Sequence, residues 1–283
     1  MSGVDSTEPP RSEGAGFAGA GAGADWLALC RASVEDVRGV LAELPTRAER
    51  EPVVGHGLGG DDTTAIDKAA EDVIVARFRE LDVSIVSEEV GRLGEGDTVV
   101  VIDPIDGSLN AKRGIPFFAV SIAVADGERM GDVHFGYVYD FGSGEEWIAR
   151  RGEGATLNGE PLLVRPKDTI EILSFEATLT SLIARDAPKV AELAHRLRIM
   201  GSLALSLCHL AAGRVDAVCS LKGARSVDIA AAQLLVLEAG LAIELFDDPR
   251  PFAEAELDLE GRSRVAAAGT AELCGQVAAA LSA

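Results

Sequence analysis

The stretch that most constrains this chain is "VVVIDPIDGSLNA", Val99 to Ala111. The β-branched apolar residues Val99 to Ile102 predict a strand buried on both faces. Directly behind it, Asp103 and Asp106 stand three residues apart on either side of a proline. A carboxylate held by a buried strand loses water, and two brought together unpaired repel, so they must be neutralised or they destabilise the fold. Asp67, Glu88 and Asp228 also fall at the ends of expected elements, flanked by apolar residues. A hard divalent cation resolves this clustering. Mg²⁺ takes oxygen ligands in octahedral geometry and keeps several waters, and a shared carboxylate can bridge two ions roughly 4 Å apart. Behind Asp106, Gly107 and Ser108 open a helical turn whose N–H groups point outward, a seat for an anion. Gly201 and Ser202 precede a second helix in the same way.

The rest of the chain alternates helix and strand. Asp25 to about Arg50 carries helical apolar spacing until Pro45 interrupts it. "PVVGHGLGGDD" is glycine-dense and is expected to be a mobile loop. It contains Gly55-x-Gly57-x-x-Gly60, formally a dinucleotide fingerprint, but Asp61 and Asp62 stand where a pyrophosphate needs positive potential. A helix over "TTAIDKAAEDVIVARFREL" and a strand at "VSIVSEE" follow. After the Val99–Ile102 strand, "FFAVSIAVADGE" and the segment from Val133 to Leu162 read as antiparallel strands and hairpins. In the second half, "EILSFEAT", "RIMGS", "DAVCSL", "LAIELF" and "RVAAAG" read as strands. "APKVAELAHRL", "LALSLCHLAAGRV", "SVDIAAAQLLVLEAG" and the C-terminus read as helices. The expected fold class is therefore α/β (mixed α+β). We divide the chain into a disordered tail (1–24), an N-terminal α/β subdomain with a metal site (25–167) and a C-terminal α/β subdomain completing the substrate site (168–283), with a seam near Arg165–Thr169.

Composition narrows the function. The chain has 283 residues and a formal net charge of −20, and Lys68, Lys112, Lys167, Lys189 and Lys222 are its only lysines. No basic stripe is visible, which argues against nucleic-acid binding. No apolar run approaches the roughly 18 residues a membrane helix needs, so no membrane role is expected. The Gly/Ala/Ser/Pro-rich N-terminus lacks the basic start of a secretory signal. "LALC" ending at Cys30 makes a poor lipoprotein box, because Leu29 is too large for the position before the cysteine. The four cysteines are scattered and in apolar contexts, as in a reducing compartment, and the four histidines form no zinc pattern. We expect a cytoplasmic protein.

"DPIDGSLN" resembles the lithium-sensitive phosphatase signature D-P-(I/L)-D-G-(T/S)-x-N of the inositol monophosphatase and fructose-1,6-bisphosphatase superfamily. "DDTTAIDKAAE", "IVSEEVG" and "SVDIAAAQLLVLEAG" match further blocks in the family's order, and "GSLALSLCHLAAGRVDA" is similar to its substrate loop and following helix. The resemblance spans roughly Asp61 to Gly240. It implies a layered α-β-α-β-α sandwich, a homodimer and Mg²⁺-dependent phosphomonoester hydrolysis with two or three ions. Carried over, Glu88, Asp103 and the Ile105 carbonyl hold the first metal; Asp103, Asp106 and Asp228 hold the second. Asp67, near Glu88, supports a weaker third ion and polarises the attacking water with Ser108. Gly107 and Ser108 receive the phosphate, and Gly201, Ser202 and Leu203 line the alcohol side. The loop Gly55–Asp61 closes over the site and contributes to the weak metal.

Departures from the family pattern bear on the substrate. Val227 stands where a large residue is usual, and Ser108 replaces the commoner threonine while keeping the hydroxyl. Inositol-specific relatives carry a glutamate seven residues before the last aspartate; here it is Leu221, followed by Lys222 and Arg225. Those cations suit the second phosphate of a bisphosphate, so the substrate is expected to be a small sugar or cyclitol phosphate, fructose 1,6-bisphosphate or inositol 1-phosphate. Taken singly, Asp67 could only favour a helix dipole and Ser202 could be a plain N-cap; their joint order favours the metal reading. The alternatives are a 3′-phosphoadenosine-type nucleotide phosphatase of the same superfamily, for which no base-stacking aromatic stands near the substrate loop, and a non-catalytic regulatory member. The acidic, lysine-poor composition resembles that of proteins working in concentrated salt, where screening removes self-repulsion. Thermal unfolding across KCl concentrations should then show a midpoint that keeps rising at molar salt. A midpoint flat from about 0.1 M upward, where the Debye length is already ~10 Å, would leave ordinary acidity.

Overall fold

The computed structural model describes residues 24–60, 62–176 and 179–283; the expected disordered tail lies, apart from Ala24, outside them. The chain opens with α1 (Trp26–Glu43), capped by the Asp25 carboxylate accepting from the Ala28 N–H at 3.0 Å. A single-turn α2 (Arg47–Arg50) follows Pro45. The segment expected to be a mobile loop is instead a small antiparallel hairpin, β1 (Val53–His56) with β2 (Asp62–Thr64). Every residue of β1 is exposed, so no buried face imposes the alternation that would mark it as a strand.

Next come α3 (Ala65–Phe78), β3 (Val83–Ser87), β4 (Gly91–Leu93) and β5 (Thr98–Asp106). After β5 stand α4 (Ser108–Arg113), β6 (Ala119–Ala125), β7 (Val133–Asp140), β8 (Glu146–Arg150), β9 (Gly154–Leu157) and β10 (Glu160–Pro161). Among the described residues these strands build an eight-stranded sheet in the order β10-β9-β8-β7-β6-β5-β3-β4. The second half supplies β11 (Ile170–Glu176), α5 (Thr180–Asp186), β12 (Ala194–Arg198), α6 (Leu203–Ala211), β13 (Ala217–Ser220), α7 (Ser226–Glu238), β14 (Ala242–Leu245), β15 (Val265–Ala268) and α8 (Ala271–Ser282). Its five strands form a second sheet, ordered β12-β11-β13-β15-β14.

One expectation fails here. "APKVAELAHRL" is not a helix: a 3₁₀ turn at Ala187–Val190 gives way to β12, which also takes the place of the strand expected at "RIMGS". β12 is an edge strand with only Ala194 buried, so its polar residues mimic a helix's solvent face.

The layers follow from which faces are apolar. α1 and α3 cover one face of the large sheet, burying Phe78, Ile74 and Val37 against Ile102, Val120 and Phe135. On the other face lie α6 and α7, which also contact the small sheet and so form the central layer. α7 is apolar on all sides, as a helix between two sheets must be. α8 covers the far face of the small sheet, giving the α-β-α-β-α order.

The central layer packs at backbone contact. A Cβ at Gly136 in β7 would lie 2.5 Å from the Ala231 carbonyl of α7, whereas one at Gly275 in α8 meets nothing within 4 Å. The same substitution should therefore have opposite signs. Gly136→Ala is expected to destabilise by about 1–3 kcal/mol through overpacking, and Gly275→Ala to stabilise by roughly 0.5–1 kcal/mol through helix propensity. Urea denaturation of both variants measures this, and equal effects would contradict the packing described.

Candidate active site

β5 does not stop at Ile102. It continues through both aspartates with a register shift, pairing Asp103 with Ser121 and Asp106 with Ala119. Three steps along β5 are matched by two along β6, which is a β-bulge. Side chains alternate faces along a strand, so residues three apart ordinarily point opposite ways; the extra residue brings Asp103 and Asp106 to the same side. Pro104, lacking an N–H, sits inside the bulge, where no ladder bond is required of it.

Asp103 is 2% exposed, and its Oδ1 accepts from the Ile105 N–H at 3.1 Å. Glu88 lies in the turn after β3. Asp228 is the third residue of α7, and its Oδ2 accepts from the Arg225 N–H at 2.7 Å. Asp67 holds the equivalent place in α3, where Oδ2 accepts from the Thr64 N–H and hydroxyl. Both carboxylates thus sit at the positive end of a helix dipole. The buried Asp67 Oδ1 has no hydrogen-bond partner among the described residues, and Lys112 Nζ lies 3.6 Å from Oδ2.

The positive charge among these acids is Arg225. Its Nη2 lies 2.5 Å from Glu88 Oε1 and 2.9 Å from Asp228 Oδ1. Burial works against its charge, but Asp228 and Glu88 raise its pKa above the usual arginine value. Burial and then the neighbouring Asp228 charge push Glu88 up to about 8, although Arg225 opposes them. Burial, followed by Glu88, Asp106 and Asp228, raises Asp103 well above the carboxylate range. Asp106 rises to about 7, chiefly by burial, against the hydroxyl of Ser202, which donates to Oδ2 at 2.5 Å. The Ala204 N–H donates to the same oxygen at 2.7 Å, tying the large sheet to the start of α6.

Gly107 precedes α4 at φ 89°, a conformation that favours glycine, and the Phe117 and Gly201 carbonyls lie 3.0 and 3.1 Å from where a Cβ would stand. The Ser108 hydroxyl donates to the Ile105 carbonyl at 3.0 Å. Beside the acids opens a cavity of about 440 Å³ whose wall includes Asp106, Gly201, Leu203, Lys222, Arg225 and Asp228. Arg225, expected on the substrate side, thus lines this cavity while its guanidinium pairs with the acids. Asp61 lies outside the described residues, and Gly59 and Gly60 of its loop line the cavity.

Several supporting residues were not found from the sequence. Glu71, one turn after Asp67, is 2% exposed, and its Oε1 accepts from the Ser87 hydroxyl and the Glu89 and Val90 N–H groups at 2.5, 3.1 and 3.0 Å. It fixes the turn that carries Glu88. Its i, i+4 spacing from Asp67 was the available signal. Glu176, at the end of β11, accepts from Gly201 N at 2.9 Å and from Ser174 and Ser206, holding the second helix start. Asn110 donates to Phe117 and Met200 carbonyls, both at 2.8 Å, bridging the two loops.

Buried acids around a helix-start pair are the apparatus of a phosphate-ester hydrolase, and comparison with known proteins makes the class specific. Residues 28–282 match the model of the inositol monophosphatase family, and the chain belongs to that family. It is 35% identical over 248 residues to a fructose-1,6-bisphosphatase/inositol-1-monophosphatase of Archaeoglobus fulgidus, covering 86% of this chain and 93% of that one. It is 39% identical over 191 residues to the Nus factor SuhB of Pasteurella multocida, covering 64% and 70%. A solved structure described as an inositol monophosphatase-fructose 1,6 bisphosphatase superposes with TM-score 0.80 at 29% identity, covering 91% of this chain and all of that one. The Thermotoga maritima enzyme described as an IMPase gives 0.75 at 27% identity over 92% and 99%.

The electrostatics yield a sign that can be measured. An acid whose native pKa is raised binds its proton more tightly in the folded state, so stability falls as pH rises from the unfolded value, about 3.9 for an aspartate, through the native one. Asp103→Asn keeps the acceptor for Ile105 N and removes the charge. In chelator at pH 8 it should unfold at higher denaturant, by on the order of 1–3 kcal/mol, with the gain shrinking toward pH 4. A variant less stable at pH 8 would show that the acids do not repel.

Proposed function

We propose that this chain is a Mg²⁺-dependent phosphomonoesterase acting on small sugar or inositol phosphates. The observation that carries the reading is the set Glu88, Asp103, Asp106 and Asp228, converging from both halves of the chain beside the cavity, with Glu88, Asp103 and Asp106 raised in pKa first by burial and then by neighbouring acids. Such hard oxygen donors fit a divalent cation, and the partnerless Asp67 Oδ1 is a further donor directed into protein without a hydrogen. Among the described residues no three acids already form a metal cage, because Arg225 takes the space between Glu88 and Asp228. The donor chemistry fits; the side chains must regroup around the ions.

In this reading Glu88, Asp103 and the Ile105 carbonyl would hold one ion, and Asp103, Asp106 and Asp228 a second, with Asp67 supporting a weaker third. The ions would supply an activated water and neutralise charge on the phosphate and leaving oxygen. The chain's own residues do the positioning. Asp67 Oδ1 and the Ser108 hydroxyl oxygen would orient the attacking water by accepting its hydrogen bonds, and the Asp67 carboxylate would take the proton it gives up. The N–H groups of Gly107 and Ser108 receive the phosphate oxygens. Gly201, Ser202 and Leu203 hold the alcohol portion. Lys222, exposed on the cavity wall, meets a distal phosphate, while Arg225 acts chiefly on the acids. A homodimer in the cytoplasm accompanies this reading through family resemblance.

A second reading, a regulatory member without turnover, is kept by the SuhB relative. One panel separates them: phosphate release with Mg²⁺ from fructose 1,6-bisphosphate, inositol 1-phosphate and 3′-phosphoadenosine esters. Turnover of the bisphosphate at least equal to inositol 1-phosphate is expected, and Lys222→Ala should reduce bisphosphate turnover selectively by roughly ten- to a hundredfold. Equal small effects on both esters would remove Lys222 from the site; no release from any ester would favour the regulatory reading.

A further inference from the structure

The loop between β1 and β2 lies over the acids, and what holds it there comes from the other end of the sequence. On its inner side the Leu58 N–H donates to the Glu89 carbonyl at 3.0 Å and the Gly59 N–H to the Glu88 carbonyl at 2.9 Å. The turn is therefore bonded to the backbone of the acidic pair itself. The fit is close: a Cβ at Gly59 would stand 2.6 Å from Arg225 Nη1 and 2.9 Å from the Glu88 carbonyl, and one at Gly57 would collide with the Glu89 carboxylate. Gly59 is buried although Leu58 beside it is 70% exposed.

On the outer side stands Arg262, 203 residues further along, in the loop before β15. Its Nη2 donates to the Gly59 carbonyl at 2.8 Å. Its Nη1 donates to the carbonyls of Leu259 and Gly261 in its own loop, so the guanidinium is aimed before it meets the turn. The Ala224–Ser263 bridge fixes that loop against the segment carrying Arg225 and Asp228. Gly59 thus has its N–H on Glu88 and its carbonyl on Arg262.

We infer that Arg262 is a positioning residue, whose guanidinium seats the Gly57–Gly60 turn on Glu88 and Glu89 and so aligns acids of the first half from the loop before β15 in the second. The inference rests on the phosphatase reading for its consequence, but not for its test. Arg262 acts through the turn and touches none of the reacting atoms.

Amide hydrogen exchange reads the contact without turnover. In the full chain, Arg262→Gln should speed exchange of the Leu58 and Gly59 amides by roughly three- to tenfold, with the β5 amides of Val100 and Ile102 unchanged. Arg262→Lys, which unlike glutamine keeps a charged donor of similar reach, should recover part of the protection. kcat for p-nitrophenyl phosphate with Mg²⁺ should fall in parallel, with KM little altered. Unchanged exchange at Leu58 and Gly59 in Arg262→Gln would overturn the inference, showing that Arg262 only caps its own loop. If Arg262→Gln exposes the β5 amides as well, Arg262→Lys decides: faster exchange confined to Leu58 and Gly59 supports the role, and wild-type exchange there refutes it. Faster exchange in a protein that hydrolyses no ester would uphold the clamp while the phosphatase reading falls.

Discussion

The site depends on one irregularity in one strand. β5 lies between β3 and β6, paired parallel to one and antiparallel to the other, and is buried along nearly its whole length. Without the bulge, Asp103 and Asp106 would project to opposite faces. One would enter the layer under α1 and α3, where Ile102, Val120 and Phe135 pack and nothing could neutralise it. The extra residue turns both acids toward the same side. Pro104 then has a structural reason: it costs no ladder bond in a bulge, whereas in a regular central strand it would.

Grouping the acids creates an electrostatic problem that the fold solves with charges from its other half. Glu88, Asp103 and Asp106 come from the large sheet; Arg225, Asp228 and Ser202 come from the central helices and their entries. Hydrogen bonds to Asp106 from Ser202 and Ala204 and ion pairs of Arg225 with Glu88 cross between the two. These contacts join the halves and also limit the repulsion. Burial first, and then the neighbouring acids, still push the pKa values of Glu88, Asp103 and Asp106 upward. A fold selected only for stability would favour apolar side chains over such a cluster, which is what singles it out as the candidate site.

What was legible in the sequence was whatever carried a strong local period or a chemically costly residue. α7 and β5 were read because continuous apolar runs have few other uses, and Asp103 and Asp106 because acids behind such a run need an explanation. The edge strand β12 and the exposed strand β1 were misread because solvent exposure erases alternation. Glu176 and Arg262 were invisible, and Glu71 was passed over despite its spacing from Asp67, for a different reason. Each acts through backbone groups of a distant segment, and a hydrogen bond to a main-chain N–H or carbonyl leaves no residue-type signal in the partner. The bulge was also illegible: the proline announced an interruption, but its register is a property of the pairing with β6.

Packing and chemistry meet in α7. The helix presses on the large sheet so closely that the Ala231 carbonyl faces a glycine in β7, and it carries Asp228 in its first turn. Asp103 and Asp106 belong to a strand of the same sheet. The distance between acids of the two halves is therefore set by a helix-to-sheet contact with no side chain to yield between them. Protein interiors are close-packed and transmit displacement rather than absorb it, so a shift of α7 at Ala231 must reappear at Asp228. Small residues at this contact thus do more than fill space. They hold charged groups from distant parts of the sequence at a spacing that flexible surface side chains could not maintain.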